Sequence, residues 1–211
     1  MPKSSLTINQ LLAAYARGYF PMADGRESEE IRWYHPERRG ILPLDAFHIP
    51  RTLQRFLRKC PYEVKVDTDF AGVIRACADA RSLNRTDTWI NDTMIAMYCD
   101  LAHLGAAHSV ECWLEDRLVG GLYGVSLGGA FFGESMFSHA ANASKVALTH
   151  LVERLRSAGY LLLDTQYVND HLKQFGVLEI SREDYLALLA NALKASPNPS
   201  TRFLTASDIK S

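Results

Sequence analysis

The spacing of apolar residues changes repeatedly along the chain, and each change marks an element. From Leu6 to Gly18 apolar residues recur at helical spacing. Thr7 stands where a cap belongs, Gln10 lies three residues on, and Gly18 offers a stop. Residues 19–45 are rich in Gly, Pro and charge and read as loop, with short strands at Ile31–Tyr34 and Ile41–Leu44. "PRTLQRFLRKC" has helical spacing, whereas "YEVKVD" alternates like a strand. Two helices are predicted over Phe70–Ala80 and Asp92–Leu104, the second entered through Asn91. Three β runs follow between His108 and Phe137, with turns at Glu115–Arg117 and Gly128–Gly129. "NASKVALTHLVERLRSAG" is an amphipathic helix closed by Gly159. "YLLLDTQ" is a short apolar strand, buried on both faces. "SREDYLALLANAL" makes a capped last helix, and the tail after it reads as irregular.

A β-meander feeding a helix and then a buried strand implies an α/β domain around a mixed sheet with flanking helices. The acyl-CoA N-acetyltransferase fold is built this way. Such enzymes hold the CoA pyrophosphate on a Gly-rich loop at the helix entry. Here that entry is "SMFSHAANAS", which has no glycine. A different acyl donor is the better expectation.

Composition narrows the choice further. An apolar fraction of 47% and a charged fraction of 22% over 211 residues are ordinary for a globular chain. Cys60, Cys77, Cys99 and Cys112 lie far apart and the histidines show no ligand spacing, so neither a metal site nor a disulfide scaffold is expected. No signal core and no membrane-length apolar run is present, so a cytoplasmic location with reduced thiols is expected. A formal net charge of −1 gives no global pull toward nucleic acid; any such binding needs a local patch.

Four features carry candidate chemistry. Glu134 lies inside an apolar strand, where a carboxylate is costly unless paired or used. Asp164 and Gln166 end a buried strand, and two residues apart they share a face if the strand continues. Arg51, Arg55 and Arg58 or Lys59 share one helical face, with Arg38 and Arg39 shortly before. That pattern fits either a solvated face or a stripe for phosphates. Trp89 stands in a polar stretch before a helix, as a packing staple or as a platform for a base.

Together "RGYFP", "WYHPERRGILP", "FHIPRTLQRF", "RTDTWI", "HSVECW", "LVGGLYGV", "FFGESMFS", "NASKVAL", "DTQYVNDHLKQFG" and "EISREDYL" resemble the bacterial leucyl/phenylalanyl-tRNA–protein transferases, from about Asn9 to Leu193. The resemblance implies a small N-terminal domain, here residues 1–37, before an acetyltransferase-like (GNAT-like) catalytic domain, residues 38–211. It implies transfer of Leu or Phe from aminoacyl-tRNA to proteins starting with Lys or Arg, tagging them for N-end rule proteolysis, with no cofactor or metal. By resemblance, Asp164 and Gln166 position and deprotonate the acceptor amine, and Glu134 holds the acceptor. Leu122, Phe131, Leu148 and Leu151 would form the aminoacyl pocket, and Trp89 would meet the terminal adenosine. Met22 stands where the family often has Trp. Two other classes stay open on the residues alone: a CoA-dependent N-acetyltransferase and a non-catalytic tRNA-binding module.

Overall fold

The computed structural model describes residues 6–28, 30–79 and 88–198. Helix α1 (Ile8–Tyr15) opens on a reciprocal cap in which the Gln10 side chain accepts from the Thr7 N–H at 2.9 Å and Thr7 accepts from the Gln10 N–H. It leads into β1 (Phe20–Ala23), antiparallel to β2 (Ile31–Tyr34) in a two-stranded sheet. The sequence reads β1 as loop because Pro21 lies within it. In so short a ribbon a proline needs only an unpaired N–H edge.

Seven strands make the main sheet among the described residues: β3 (Arg38–Ile41), β4 (Glu63–Val66), β5 (Ala107–Leu114), β6 (Arg117–Leu127), β7 (Ala130–Ser138), β8 (Leu162–Gln166) and β9 (Leu178–Ser181). Their order is β4-β5-β6-β7-β8-β3-β9. Only β7 and β8 run parallel within it. Their connection is the long helix α5 (Ala143–Ala158), as a parallel crossover requires, stopped by Gly159 at φ 80°.

Two apolar layers cover the sheet. One face packs against α1, α3 (Phe70–Ala78), α4 (Asp92–His103) and α7 (Arg182–Ala192), through Leu11, Val73, Met94, Phe132 and Leu189. The other packs against α2 (Arg51–Leu57) and α5, through Leu53, Val146, Leu151 and Phe131. α4 is capped as expected, Asn91 Oδ1 accepting from the Met94 N–H at 2.8 Å. The mixed α/β architecture expected from the sequence is what forms.

Two details differ. The strand placed at Ile41–Leu44 sits earlier, at Arg38–Ile41, because β3 takes its register from β9 and β8 on either side. β9 and the single turn α6 (Asp170–Lys173) have too few residues to show a period. The expected helix end at Ala80, the polar run before Thr88 and the tail from residue 199 lie outside the described residues.

The feature that matters for function is a gap. β7 and β8 pair only over Ala130–Phe132 and Leu162–Asp164. Beyond that, β7 stays with β6, while β8 continues against β3, Gln166 facing Gly40.

Candidate active site

A cavity of about 550 Å³ opens where β7 and β8 part. It draws its lining from both faces of the sheet. Leu122, Leu148, Leu151, Leu163 and Leu172 come from one side, and Phe20, Met22, Trp89 and Phe137 from the other. Between them lie Glu134, Ser135, Thr165 and Gln166. An apolar chamber with few converging polar groups is the usual form of a small-ligand site.

Glu134 owes its direction to a β-bulge. Tyr123 pairs with Ser135 and Gly124 with Gly133, so Glu134 is the extra residue of β7. A bulge re-aims a side chain without ending the strand. Gly124 permits this: a Cβ there would lie 2.3 Å from the Phe132 carbonyl oxygen. The half-buried carboxylate accepts from the Tyr15 hydroxyl at 2.7 Å and from the Tyr98 hydroxyl at 3.1 Å. The two hydroxyls are themselves 2.5 Å apart. Burial pushes the Glu134 carboxyl up to about 7, against the lowering effect of the two phenols.

Asp164 points the other way. It is wholly buried, and Arg39, 1% exposed, grips it with Nε at 3.0 Å from Oδ1 and Nη2 at 2.6 Å from Oδ2. The Tyr185 hydroxyl donates to Oδ2 at 2.7 Å and the Gln166 N–H to Oδ1 at 2.8 Å. Arg39 is also sandwiched between the Phe20 and Tyr185 rings, 4.5 Å from each centroid. The expectation that this carboxylate emerges at the sheet edge is therefore corrected. Along β8, Leu163 and Thr165 line the cavity while Asp164 faces away. Gln166 would follow Asp164, but its φ of 56° breaks the alternation and brings it to the cavity. A non-glycine residue holds this conformation only where its surroundings impose it. Here the Asp164 carboxylate, fixed by Arg39, holds the Gln166 N–H. The Gln166 side chain then lies with Nε2 3.5 Å from Glu134 Oε1.

Comparison with known proteins settles the family. The family model "Leucyl/phenylalanyl-tRNA protein transferase" matches residues 41–190, and the model for its N-terminal domain matches residues 4–37. A leucyl/phenylalanyl-tRNA–protein transferase from Caulobacter vibrioides is 61% identical over 189 residues, 90% of this chain and 87% of its own. The chain belongs to the leucyl/phenylalanyl-tRNA–protein transferase family. Another relative, from Paramagnetospirillum magneticum, is 55% identical over 188 residues, 89% of this chain and 90% of its own. A solved ribosomal-protein-alanine N-acetyltransferase from Brucella melitensis biovar Abortus 2308 is similar at 15% identity and a TM-score of 0.37, over 54% of this chain and 84% of its own. That likeness is too loose to speak to substrate.

Against the transferase motifs, the placements divide. Leu122, Leu148 and Leu151 line the cavity; Phe131 does not, being fully buried behind Gly124. Trp89 and Met22 both line it, on the face opposite those leucines. Arg51, Arg55, Arg58 and Lys59 are exposed along α2 and just after it, and none makes a salt bridge among the described residues. Arg38 is exposed and meets Glu179 at 3.3 Å. Arg39 is corrected from a phosphate contact to the buried clamp on Asp164. Sequence reasoning missed Tyr15, Tyr98 and Tyr185. Each is a lone hydroxyl on an apolar helix face, which always asks for a partner. Among the described residues, the Tyr123 hydroxyl, Thr165 Oγ1 and His171 Nε2 line the same cavity without a hydrogen-bond partner. No group of metal-ligating side chains occurs among those residues.

Proposed function

We propose that the cleft between β7 and β8 transfers Leu or Phe from aminoacyl-tRNA to the N-terminal α-amine of proteins beginning with Lys or Arg, marking them for proteolysis in the cytoplasm. Transfer from a charged tRNA to a protein is the activity of the family to which the chain belongs. The observation that carries the finer reading is one juxtaposition. The leucine-lined chamber adjoins Glu134, the only carboxylate among the described residues that line the cavity, with Gln166 beside it.

The chemistry follows from what arrives. The donor is an activated ester, so the site must bind it, orient the amine, remove a proton and meet the developing oxyanion. Leu122, Leu148 and Leu151 would hold the Leu or Phe side chain, and Trp89 would stack on the terminal adenosine. Glu134 would draw in the cationic end of the acceptor, and Gln166 would orient its amine. Asp164 acts through Gln166, since all its contacts are internal. The unpartnered Tyr123 and Thr165 hydroxyls are available to substrate polar groups. The exposed Arg51, Arg55, Arg58 and Lys59 would meet tRNA phosphates, joined by Arg38.

The test is direct: incubate the protein with leucyl-tRNA and a peptide beginning with Arg, and follow label into peptide. Transfer to the Arg peptide, and none to its N-acetylated form, is expected. Absence of transfer with both leucyl- and phenylalanyl-tRNA would overturn the proposal.

A further inference from the structure

Resting on that reading, we propose that Glu134, held in place by Tyr15 and Tyr98, is the group that takes the proton from the acceptor's α-ammonium. Three geometric facts carry this. Asp164 is sealed: its oxygens receive Arg39, Tyr185 and the Gln166 N–H, and it has no exposure. Gln166 orients well, but a carboxamide barely accepts a proton. Among the described residues, Glu134 alone combines a carboxylate with a place on the cavity wall, next to the Gln166 amide.

Among the described residues, the groups facing Glu134 come from five elements. Tyr15 arrives from α1, Tyr98 from α4, Tyr123 from β6, Arg39 from β3, and Asp164 with Gln166 from β8. Burial favours the neutral acid, and the nearby Asp164 charge adds to it. Tyr15, Tyr98 and Arg39 favour the anion. The balance leaves the carboxyl at about 7, where it can both receive and release a proton near neutrality. Tyr15 and Tyr98 are positioning residues. Their phenols are held well above the ordinary tyrosine range, chiefly by burial, so they donate to the carboxylate without losing their own protons.

The steps balance. The α-ammonium gives one proton to the Glu134 carboxylate and becomes a neutral amine. The amine nitrogen bonds to the ester carbonyl carbon, forming a tetrahedral intermediate with a protonated nitrogen. That nitrogen loses its proton as the bond to the ribose oxygen breaks, and the oxygen leaves as a hydroxyl. Glu134 then returns its proton to water. One ester and one ammonium yield one amide, one alcohol and one proton.

The experiment is a pH–rate profile for transfer from leucyl-tRNA to an Arg peptide, under single-turnover conditions. The wild-type rate should rise with pH through a limb near 7. A free α-amine also titrates, at roughly 7.7–8.0, so the limb alone does not identify its owner. Tyr15→Phe and Tyr98→Phe do: each removes a bond that favours the anion, so each should move the limb to higher pH with the same peptide. Glu134→Gln should lower the rate about 10²–10⁴-fold and abolish the lower limb. Donor binding, followed by leucyl-tRNA retention, reports whether each variant is folded. An unshifted limb in both phenylalanine variants, or a Glu134→Gln rate within a few-fold of wild type, would overturn the inference while wild-type transfer still upheld the function.

Discussion

Asp164→Asn tests the buried clamp most sharply. The substitution keeps shape and leaves Oδ1 able to accept from the Gln166 N–H, but it removes the charge opposite Arg39. Arg39 is 1% exposed, so its guanidinium would stay buried without a counterion. Breaking a buried pair in this way typically costs about 3–5 kcal/mol, far above a surface bridge at about 0–1 kcal/mol. The Tyr185 hydroxyl also loses a charged acceptor, so the upper half of that range is expected. For a chain of this length, about 2–4 °C of Tm per kcal/mol gives a fall of roughly 8–20 °C. Denaturant melts and calorimetry measure it. The residual rate at a temperature where the variant is fully folded should fall on the order of 10²-fold, because the amide that still accepts from the Gln166 N–H is no longer held by an ion pair with Arg39 and sets Gln166 less precisely. Arg39→Met combined with Asp164→Asn should lose clearly less stability than the sum of the two single changes, since each removes the same pair. A melting change under 2 °C together with near-normal turnover would refute both the clamp and its link to Gln166.

Other outcomes follow from neighbouring features. Glu134 in the folded protein titrates near 7 against an ordinary 4.5, so wild-type stability should decline as pH rises through that window, and Glu134→Gln should flatten the decline in pH-dependent melts. Gly124→Ala places a methyl 2.3 Å from the Phe132 carbonyl oxygen, so overpacking of about 1–3 kcal/mol and slowed transfer are expected by melting and assay. Arg51→Ala with Arg55→Ala should weaken binding of every tRNA and reduce the slope of log affinity against log salt; unchanged binding at moderate salt would move the patch elsewhere. Trp89→Ala should weaken donor binding by about 1–3 kcal/mol in a tRNA titration, the usual worth of one stacked base.

Local signals were readable where the physics is local. The Thr7–Gln10 cap, the Asn91 cap and the Gly159 stop each rest on residues within one turn, and all stand in the structure. The three β runs declared themselves through the turns at Glu115–Arg117 and Gly128–Gly129 that divide them. What the sequence could not show depends on pairing at a distance. Arg39 and Asp164 are 125 positions apart, so one read as a phosphate contact and the other as an open base. The Glu134 bulge exists only when β6 and β7 are laid side by side. Tyr15 lies 119 positions from Glu134. The left-handed turn at Gln166 left no mark either, since glutamine has no preference for that conformation. Membership in the family, by contrast, was carried by many short motifs jointly, and these survive without knowledge of their geometry.

The most direct measurement is the single-turnover rate of transfer for Gln166→Ala, with leucyl-tRNA affinity determined on the same preparation. If the gap between β7 and β8 is where amine meets ester, the rate falls about 10²–10⁴-fold while donor affinity stays within a factor of about two. A variant that transfers at the wild-type rate would place the chemistry outside the cleft, and one that loses donor binding in proportion to rate would contradict the role of Gln166 in orienting the amine.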